Sequence, residues 1–341
     1  MSRIMRRTPV IFTLAFLAAG SAARAAECPG NPEAIGTSRT IVVDPREHAR
    51  IGTMQYGETL PLADKEVVLT FDDGPLPPYT NRVLDILAAE CVKATYFIVG
   101  KMAKAYPDMV RRVHDAGHTI GTHSQTHPFT FNKMPLARAV QEIDDGIAAT
   151  VAALGDPAAV APFFRIPGLL RAEQVETYLA SHAIMTWSAD FPADDWRKIK
   201  ASEIIRRALE RLEAKGKGIL LLHDIQPATA IALPGLLKEL KQRSYRIVHV
   251  VPASADRQKT PTHPAQWVLR GGNGDAQARM TAIHIMGNDG EEPGVNAGFG
   301  LIGTAAAGPM AKQPTTVAPT EPTPRQWPLT FTMSLPKSGI P

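Results

Sequence analysis

The sequence has 341 residues, of which 44% are hydrophobic and 21% are charged, a composition that supports a sizeable core and excludes a highly charged, disordered chain. Its formal net charge is +4 at pH 7, but residues 1–25 contain four arginines and no acidic residue. The remaining 33 basic residues (37 less these four) balance the 33 acidic ones, so the charge gives no reason to predict a nucleic-acid partner.

Residues 1–25 have the layout of a secretory signal peptide. Three arginines precede an apolar run over residues 9–20, and Ala23-Arg24-Ala25 offers small residues at a cleavage site. The apolar run is short for a membrane span, although an uncleaved membrane anchor is the alternative interpretation. We therefore expect export to the periplasm or the extracellular space, without stable membrane insertion once the signal peptide is cleaved.

Residues 26–65 form an N-terminal segment with one predicted strand, Thr40–Val43. Cys28 lies in this segment, and the only other cysteine of the chain is Cys91. Because an exported protein can form disulfides, the two cysteines have two open interpretations. They form either a disulfide that ties the mature N-terminus to the domain or two free thiols.

Strand and helix patterns alternate over residues 66–252. Predicted strands, rich in β-branched and aromatic residues, cover Val67–Phe71, Ala94–Val99, Thr119–Gly121, Phe163–Ile166, Ile184–Trp187, Gly218–Leu222 and Tyr245–Val251. Predicted helices cover Thr80–Ala89, a segment from Pro107 that stops before Gly117, Pro135–Leu154, Ala172–Ser181, Ser202–Ala214 with Ser202 as its cap, and Leu233–Lys241. This alternation predicts an α/β fold in which about seven parallel strands close into a distorted (β/α) barrel.

The composition changes after about Pro252. Residues 254–341 contain 11 glycines and 11 prolines among 88 positions, and their apolar residues follow no period. This composition predicts that residues 253–341 form a low-complexity, mostly disordered tail. Trp267 and the apolar residues at 283–285 are the part of this tail with side chains suited to docking on the domain.

Two adjacent carboxylates follow the first strand of the alternating region. Asp72 and Asp73 lie in the segment Thr70-Phe71-Asp72-Asp73-Gly74-Pro75, and His123 and His127 follow the third strand, four residues apart. One carboxylate and two imidazoles form a three-ligand metal site that leaves a position open for water, as a catalytic zinc requires. The second carboxylate is then available as a general base.

Further polar residues follow other predicted strands: Arg165 at the fourth, Asp190 after the fifth and His223 at the end of the sixth. In a parallel barrel the carboxyl ends of the strands share one edge, where the chemistry of such folds takes place. Each pattern alone has a plain structural interpretation, because Asp-Asp-Gly-Pro is a common turn and a single histidine or arginine can serve the core or the surface. Their joint presence at strand ends favours a catalytic site.

The order of these motifs, Thr-Phe-Asp-Asp-Gly-Pro followed by His-Ser-Gln-Thr-His, resembles carbohydrate esterase family 4, the polysaccharide deacetylases, over residues 66–252. The resemblance implies that Asp73, His123 and His127 are metal ligands. The implied ion is Zn²⁺, with Co²⁺ or another divalent ion as the alternative. The resemblance also implies that Asp72 is the catalytic base.

The same resemblance assigns roles to three residues further along the chain. Arg165 matches the arginine that orients the base, and His223 matches the histidine that acts as the acid. Asp195, beside Trp196, matches the aspartate that holds this histidine. Two other aspartates of the same segment are alternatives for that contact: Asp190 and Asp194.

One position departs from the family pattern. The family usually has an aromatic residue between the proline and the glycine that follow the arginine, whereas Pro167 is followed directly by Gly168 here. We therefore expect one wall of the substrate groove to be reshaped at Pro167-Gly168.

The resemblance implies a metal-dependent hydrolase that removes N-acetyl groups from N-acetylglucosamine-containing glycans such as chitooligosaccharide or peptidoglycan. The expected partner is thus the acetylated glycan substrate. Alternatives are an O-deacetylase acting on acetylxylan or another acetylated polysaccharide and a non-catalytic glycan-binding protein. A non-haem iron oxygenase is a further alternative, because two histidines and one carboxylate also suit Fe(II). The sequence makes no prediction of the oligomeric state.

Overall fold

Parallel strands alternate with helices through residues 28–269, the part of the chain that this computed structural model describes. The strands are Thr37–Val43 (β1), Arg50–Ile51 (β2), Glu66–Asp72 (β3), Thr95–Ile98 (β4), Thr119–Thr122 (β5), Phe163–Phe164 (β6), Met185–Trp187 (β7), Phe191–Pro192 (β8), Gly218–His223 (β9) and Arg246–Pro252 (β10). The helices are Tyr79–Ala89 (α1), Gly100–Ala105 (α2), Pro107–Asp115 (α3), Leu136–Leu154 (α4), Glu173–Ser181 (α5), Ala201–Lys215 (α6) and Pro227–Gln242 (α7).

The central strand of the sheet is β3. It pairs with β9 along most of its length, with β4 at its carboxyl end and with β10 at its amino end, always in parallel. From β4 the sheet continues through β5, β6 and β7 to β2, while β8 extends it beyond β9 and β1 lies beside β10. The predicted parallel α/β fold is therefore confirmed. The strands β2 and β8 were not predicted, because two residues each are too few to show a periodic pattern.

Both faces of β3 are buried, which explains its largely apolar sequence. Val67, Leu69 and Phe71 pack with the surrounding helices, whereas Val68 packs into the barrel interior. Side chains alternate between the two faces of a strand, so Asp72 shares the inward face of Val68. The carboxylate of Asp72 therefore lies at the carboxyl end of the strand, at the edge of the apolar barrel interior.

Two helix starts differ from the sequence prediction. The predicted cap at Ser202 is wrong, because Lys200 is the N-cap residue of α6 and no side chain caps this helix. Lys200 has an extended backbone (φ −73°, ψ 153°), and Ser202 already lies in the first turn. Helix α7 begins at Pro227, earlier than predicted, and continues through Pro234. Proline suits the first position of a helix, as at Pro227. Pro234 lies in the helix interior, where proline is unfavourable, and this hid the earlier helix start in the sequence pattern.

A disulfide joins Cys28 to Cys91 and so decides between the two interpretations of the cysteines. It ties the N-terminal segment to the turn between α1 and β4. The backbone N–H groups of Gly36 and Thr37 donate to the carbonyl oxygens of Glu90 and Cys91 at 3.0 and 3.1 Å, which extends the same attachment. Within residues 28–269 no helix is long and apolar enough to span a membrane.

Residues 253–269 pack on the domain, although the sequence predicts a mostly disordered tail from residue 253. The Trp267 side chain joins the cluster that fills the barrel interior and is 3% exposed. Its ring stacks on that of His48 with 3.3 Å between centroids, and its carbonyl oxygen accepts a hydrogen bond from the Thr59 N–H at 2.7 Å. The remainder of the predicted tail and the predicted signal peptide at residues 1–25 lie outside the described residues.

Trp267→Ala should destabilise the domain. Because the indole is almost fully buried, its loss should cost roughly 3–5 kcal/mol and lower the melting temperature by about 10 °C. Val268→Ala is the matched control, since Val268 is 50% exposed and its truncation should change the melting temperature by less than about 2 °C. Thermal melting followed by circular dichroism measures both, and equal melting temperatures would show that residues 253–269 do not support the fold.

Candidate active site

The carboxyl ends of β3, β5 and β9 meet at one edge of the barrel. Asp72 ends β3 and is in register with His223, the last residue of β9. His123 follows β5 directly. Because the strands are parallel, their carboxyl ends point the same way, and polar residues far apart in the sequence become neighbours.

Asp73, His123 and His127 form a compact group, here called the ligand cluster. Their ligand atoms all lie within 4.8 Å of one another. Asp73 Oδ1 is 3.5 Å from His123 Nε2 and 3.3 Å from His127 Nε2. This oxygen is buried and has no hydrogen-bond partner. A buried carboxylate oxygen without a hydrogen-bond partner and the two imidazole nitrogens that it faces together form a suitable set of ligand atoms for a divalent cation. The residues present therefore fit a metal ion.

The backbone around the ligand cluster is held in an uncommon conformation. The φ angles of Asp73, Ser124 and His127 are 76°, 64° and 57°, all in the left-handed region. Ser124 Oγ accepts a hydrogen bond from the His127 N–H at 3.0 Å, which fixes the turn between the two histidines. A Cβ atom on Gly146 of α4 would lie 2.6 Å from the Ser124 carbonyl carbon. Glycine at this position therefore lets the backbone of α4 pack directly against the turn.

His123 presents Nε2 to the ligand cluster as an acceptor. Its Nδ1–H donates a hydrogen bond to the carbonyl oxygen of Arg165 at 2.6 Å. Burial lowers the pKa of His123 to about 4, so the imidazole is neutral at physiological pH. A neutral imidazole held through its other nitrogen by a carbonyl oxygen is the usual arrangement of a metal-ligating histidine.

Asp72 forms a buried ion pair with Arg165. Arg165 Nη1 donates to Asp72 Oδ1 at 2.6 Å and to Thr70 Oγ1 at 2.9 Å, while Nη2 donates to the carbonyl oxygen of Ser188 at 2.9 Å. The other carboxylate oxygen, Asp72 Oδ2, lies 3.8 Å from His123 Nε2. Arg165 therefore compensates the carboxylate charge and fixes its direction, with Oδ2 left beside the ligand cluster.

His223 forms an ion pair with Asp195. Its Nδ1–H donates to Asp195 Oδ1 at 2.8 Å, and its backbone N–H donates to Oδ2 at 2.7 Å. The other ring nitrogen, Nε2, is 3.9 Å from Asp73 Oδ2. Burial acts to lower the pKa of His223, but the charge and hydrogen bond of Asp195, together with the charges of Asp73 and Asp72, outweigh it and raise the pKa to about 10. The imidazole therefore carries a proton at neutral pH.

The other two aspartates that the sequence left open bind elsewhere. Asp190 accepts hydrogen bonds from the backbone N–H and the hydroxyl of Thr53 at 2.8 and 2.7 Å. Asp194 forms ion pairs with two arginines of α6. Of the three carboxylates, Asp195 is thus the one that contacts His223.

Asp224 is a residue of this region that the sequence did not reveal. Its carboxyl group is fully buried, and Thr80 Oγ1 donates a hydrogen bond to Oδ2 at 2.5 Å. Burial raises the pKa of Asp224 to about 7. A Cβ atom on Gly74 would overlap this carboxyl group, so the turn after Asp73 packs directly on it. Its position after His223 at the end of β9 is the only signal of its location in the sequence.

Comparison with known proteins identifies the family of the domain. The family profile described as Polysaccharide deacetylase matches residues 60–187. The chain is 32% identical over 189 residues to a peptidoglycan-N-acetylglucosamine deacetylase of Bacillus cereus. The aligned region covers 53% of this chain and 67% of the relative. It is also 30% identical over 197 residues to a chitooligosaccharide deacetylase of Rhizobium leguminosarum bv. trifolii. Here the aligned region covers 57% of this chain and 87% of the relative.

The fold is also similar to that of solved structures. A peptidoglycan deacetylase of Bdellovibrio bacteriovorus superposes with a TM-score of 0.57 and 32% sequence identity. The match covers 64% of this chain and 59% of that chain, so less than two thirds of that protein's length is spanned. The profile match includes the ligand cluster and the Asp72–Arg165 pair, whereas His223 lies beyond it. Together, the profile, the relatives and the fold show that this chain belongs to the polysaccharide deacetylase family, a family of hydrolases.

Proposed function

We propose that this chain removes N-acetyl groups from N-acetylglucosamine-containing glycans of the chitooligosaccharide or peptidoglycan type, with the help of a divalent metal ion. The main support for the proposal is that two ion pairs flank the ligand cluster. Asp72–Arg165 lies beside His123, and Asp195–His223 lies beside Asp73. Deacetylases with these two substrates in their names are among the relatives, which supports the substrate class.

Asp73, His123 and His127 would hold the metal ion, and three protein ligands leave a coordination position open. We assign Zn²⁺ to this site, with Co²⁺ or another divalent ion as the alternative, because one carboxylate and two imidazoles suit it. When bound, such a cation supplies a Lewis acid for the acetyl carbonyl and lowers the pKa of water.

Asp72 is positioned as the general base. Amide hydrolysis requires a water molecule to lose a proton as its oxygen attacks the carbonyl carbon. Because Arg165 occupies Asp72 Oδ1, the free Oδ2 beside His123 is the atom that accepts this proton. The guanidinium remains paired with the carboxyl group throughout and keeps it in place.

His223 is positioned as the general acid. An amine is a poor leaving group until its nitrogen gains a proton. Asp195 holds the Nδ1–H of His223, so Nε2–H is the donor that faces the ligand cluster and protonates the leaving nitrogen. The products are acetate and a free amine on the sugar, and the proton taken by Asp72 balances the proton that His223 supplies.

We place the reaction outside the cytoplasm. The disulfide between Cys28 and Cys91 fits an oxidising compartment, where such bonds persist. A peptidoglycan substrate, as in the names of several relatives, fits the same location. Export would depend on the predicted signal peptide at residues 1–25.

Acetate release from three substrates tests the proposed function. The Zn²⁺-loaded protein should release acetate from tetra-N-acetylchitotetraose, here called chitotetraose, or from peptidoglycan. Release from acetylxylan alone would identify an O-deacetylase and contradict the proposal. No release from any of the three would contradict hydrolysis and favour a non-catalytic glycan-binding protein.

Asp72→Asn should abolish turnover and leave the metal bound, whereas Asp73→Asn should lose the metal as well. The asparagine at position 72 still accepts a hydrogen bond from Arg165 but cannot take a proton, and general-base catalysis contributes about 10²- to 10⁴-fold in rate. Metal content by atomic absorption and acetate release are measured on both variants. Loss of the metal from Asp72→Asn alone would show that the two aspartates have been interchanged.

His223→Ala should impair N-acetyl substrates far more than activated esters. A nitrogen must be protonated to leave, while 4-nitrophenolate leaves without help, so the losses should differ by about 10²-fold or more. Rates on chitotetraose and on 4-nitrophenyl acetate give the comparison. Equal losses on the two substrates would show that His223 does not protonate the leaving group.

Asp195→Asn should move the alkaline limb of the pH profile to lower pH. The charge of Asp195 raises the pKa of His223, so its removal lets the imidazolium lose its proton earlier as the pH rises, by roughly one to three units. A bound cation affects wild type and variant alike, so the difference between the two profiles isolates Asp195. An alkaline limb of kcat/KM that stays in place would show that the pair does not control this step.

A further inference from the structure

Phe129 is the most exposed large hydrophobic side chain within residues 28–269, at 73% exposure. It comes two residues after His127, and the centroids of the two rings are 4.9 Å apart at an interplanar angle of 78°. Phe131, two residues later, is fully buried and holds the segment in the core. Phe129 therefore contributes little to the core, and its ring meets solvent beside the ligand cluster.

Phe129 also borders Gly168, in the segment where the sequence predicts a reshaped groove wall. Gly168 has a left-handed backbone with φ 58° and carries no side chain. A Cβ atom at this position would lie 3.5 Å from Phe129 Cδ1. The phenyl ring therefore lies within van der Waals range of the place where residue 168 carries no side chain.

A second exposed aromatic ring lies beside His223, the proposed general acid. Trp196 is 38% exposed, and its ring centroid lies 5.7 Å from that of His223 at an angle of 72°. One exposed apolar side chain is ordinary on a protein surface. Two exposed rings in edge contact with the imidazoles of one polar site, at His127 and at His223, indicate a ligand with both polar and apolar surfaces.

A β-linked N-acetylglucosamine unit has this dual character. Its hydroxyl and acetamide groups are equatorial and polar, while its axial C–H bonds give each ring face an apolar surface that can pack on an aromatic ring. We propose that Phe129 is the binding platform for the sugar ring next to the one whose acetyl group enters the ligand cluster. The inference rests on the proposed function for the substrate class, and it adds a preference for oligosaccharides over single sugars.

Three variants of the Zn²⁺-loaded, full chain test the platform: Phe129→Ala, Phe129→Trp and the control Ile231→Ala. Ile231 is an exposed residue of α7, at 57%, that has no part in the proposed site. On chitotetraose, Phe129→Ala should lower kcat/KM about tenfold, mainly through KM, which corresponds to ~1.4 kcal/mol. Phe129→Trp should recover activity to within roughly threefold of wild type, because it restores an aromatic face, and Ile231→Ala should match wild type.

The ester 4-nitrophenyl acetate has no sugar ring and serves as the reference substrate. The loss caused by Phe129→Ala should be about ten times larger on chitotetraose than on this ester. Equal losses on the two substrates would overturn the inference, because they would indicate a general disturbance of the site. An unchanged kcat/KM on chitotetraose, or a tryptophan variant as poor as the alanine variant, would overturn it as well.

Failure of the proposed function gives a separate result. If the wild type releases no acetate from any glycan, the deacetylase proposal fails, and calorimetric binding of chitotetraose still decides about Phe129. Weaker binding by Phe129→Ala than by wild type would then support the platform, and equal binding would overturn it. If the wild type deacetylates chitotetraose and Phe129→Ala does so equally well, the function stands and the platform is wrong.

Discussion

The buried ion pair between Arg165 and Asp72 is the interaction on which the rest of the site depends. Arg165 follows the short β6 and has no exposed surface, yet it donates to Asp72 and Thr70 of β3 and to the carbonyl oxygen of Ser188 after β7. Its own carbonyl oxygen holds His123 at the end of β5. Two buried charges are tolerated only when each has its partner, and loss of one partner typically costs about 3–5 kcal/mol. One residue therefore fixes the proposed base, one proposed metal ligand and the ends of three strands.

The same constraint determines the partners of the carboxylates in the segment between β7 and α6, which contains β8. Asp190, Asp194 and Asp195 are all buried, and a buried carboxylate must find donors. Asp190 accepts hydrogen bonds from threonines of the N-terminal segment and from a backbone N–H of β9, and Asp194 pairs with two arginines of α6. These contacts hold the segment in place before and after β8. Asp195 thereby contacts His223 and stabilises the protonated imidazole that the proposed chemistry needs at neutral pH.

The polar site borders the apolar cluster that fills the barrel interior. The guanidinium carbon of Arg165 is 4.2 Å from the ring centre of Phe97, and Trp187 packs against the same ring. Leu60 and Trp267, from segments that flank the alternating region, add to this interior cluster. Burial next to such an interior disfavours a charged imidazole and lowers the pKa of His123, while the same low dielectric strengthens the attraction by Asp195 that raises the pKa of His223. The packing of residues 253–269 therefore contributes to the environment of the site as well as to the stability of the fold.

The alternation of strands and helices, the parallel barrel and the strand ends at which the proposed site residues lie were all predictable from patterns along the chain. These features depend on local periodicity and on the spacing within short motifs, which are readable along the chain. Three further features emerge only in the folded domain: the contact of Asp195 with His223, the disulfide between Cys28 and Cys91, and the burial of Trp267. Each of these outcomes depends on which distant segments come into contact. No local pattern records that choice, because burial and partner donors are properties of the assembled barrel.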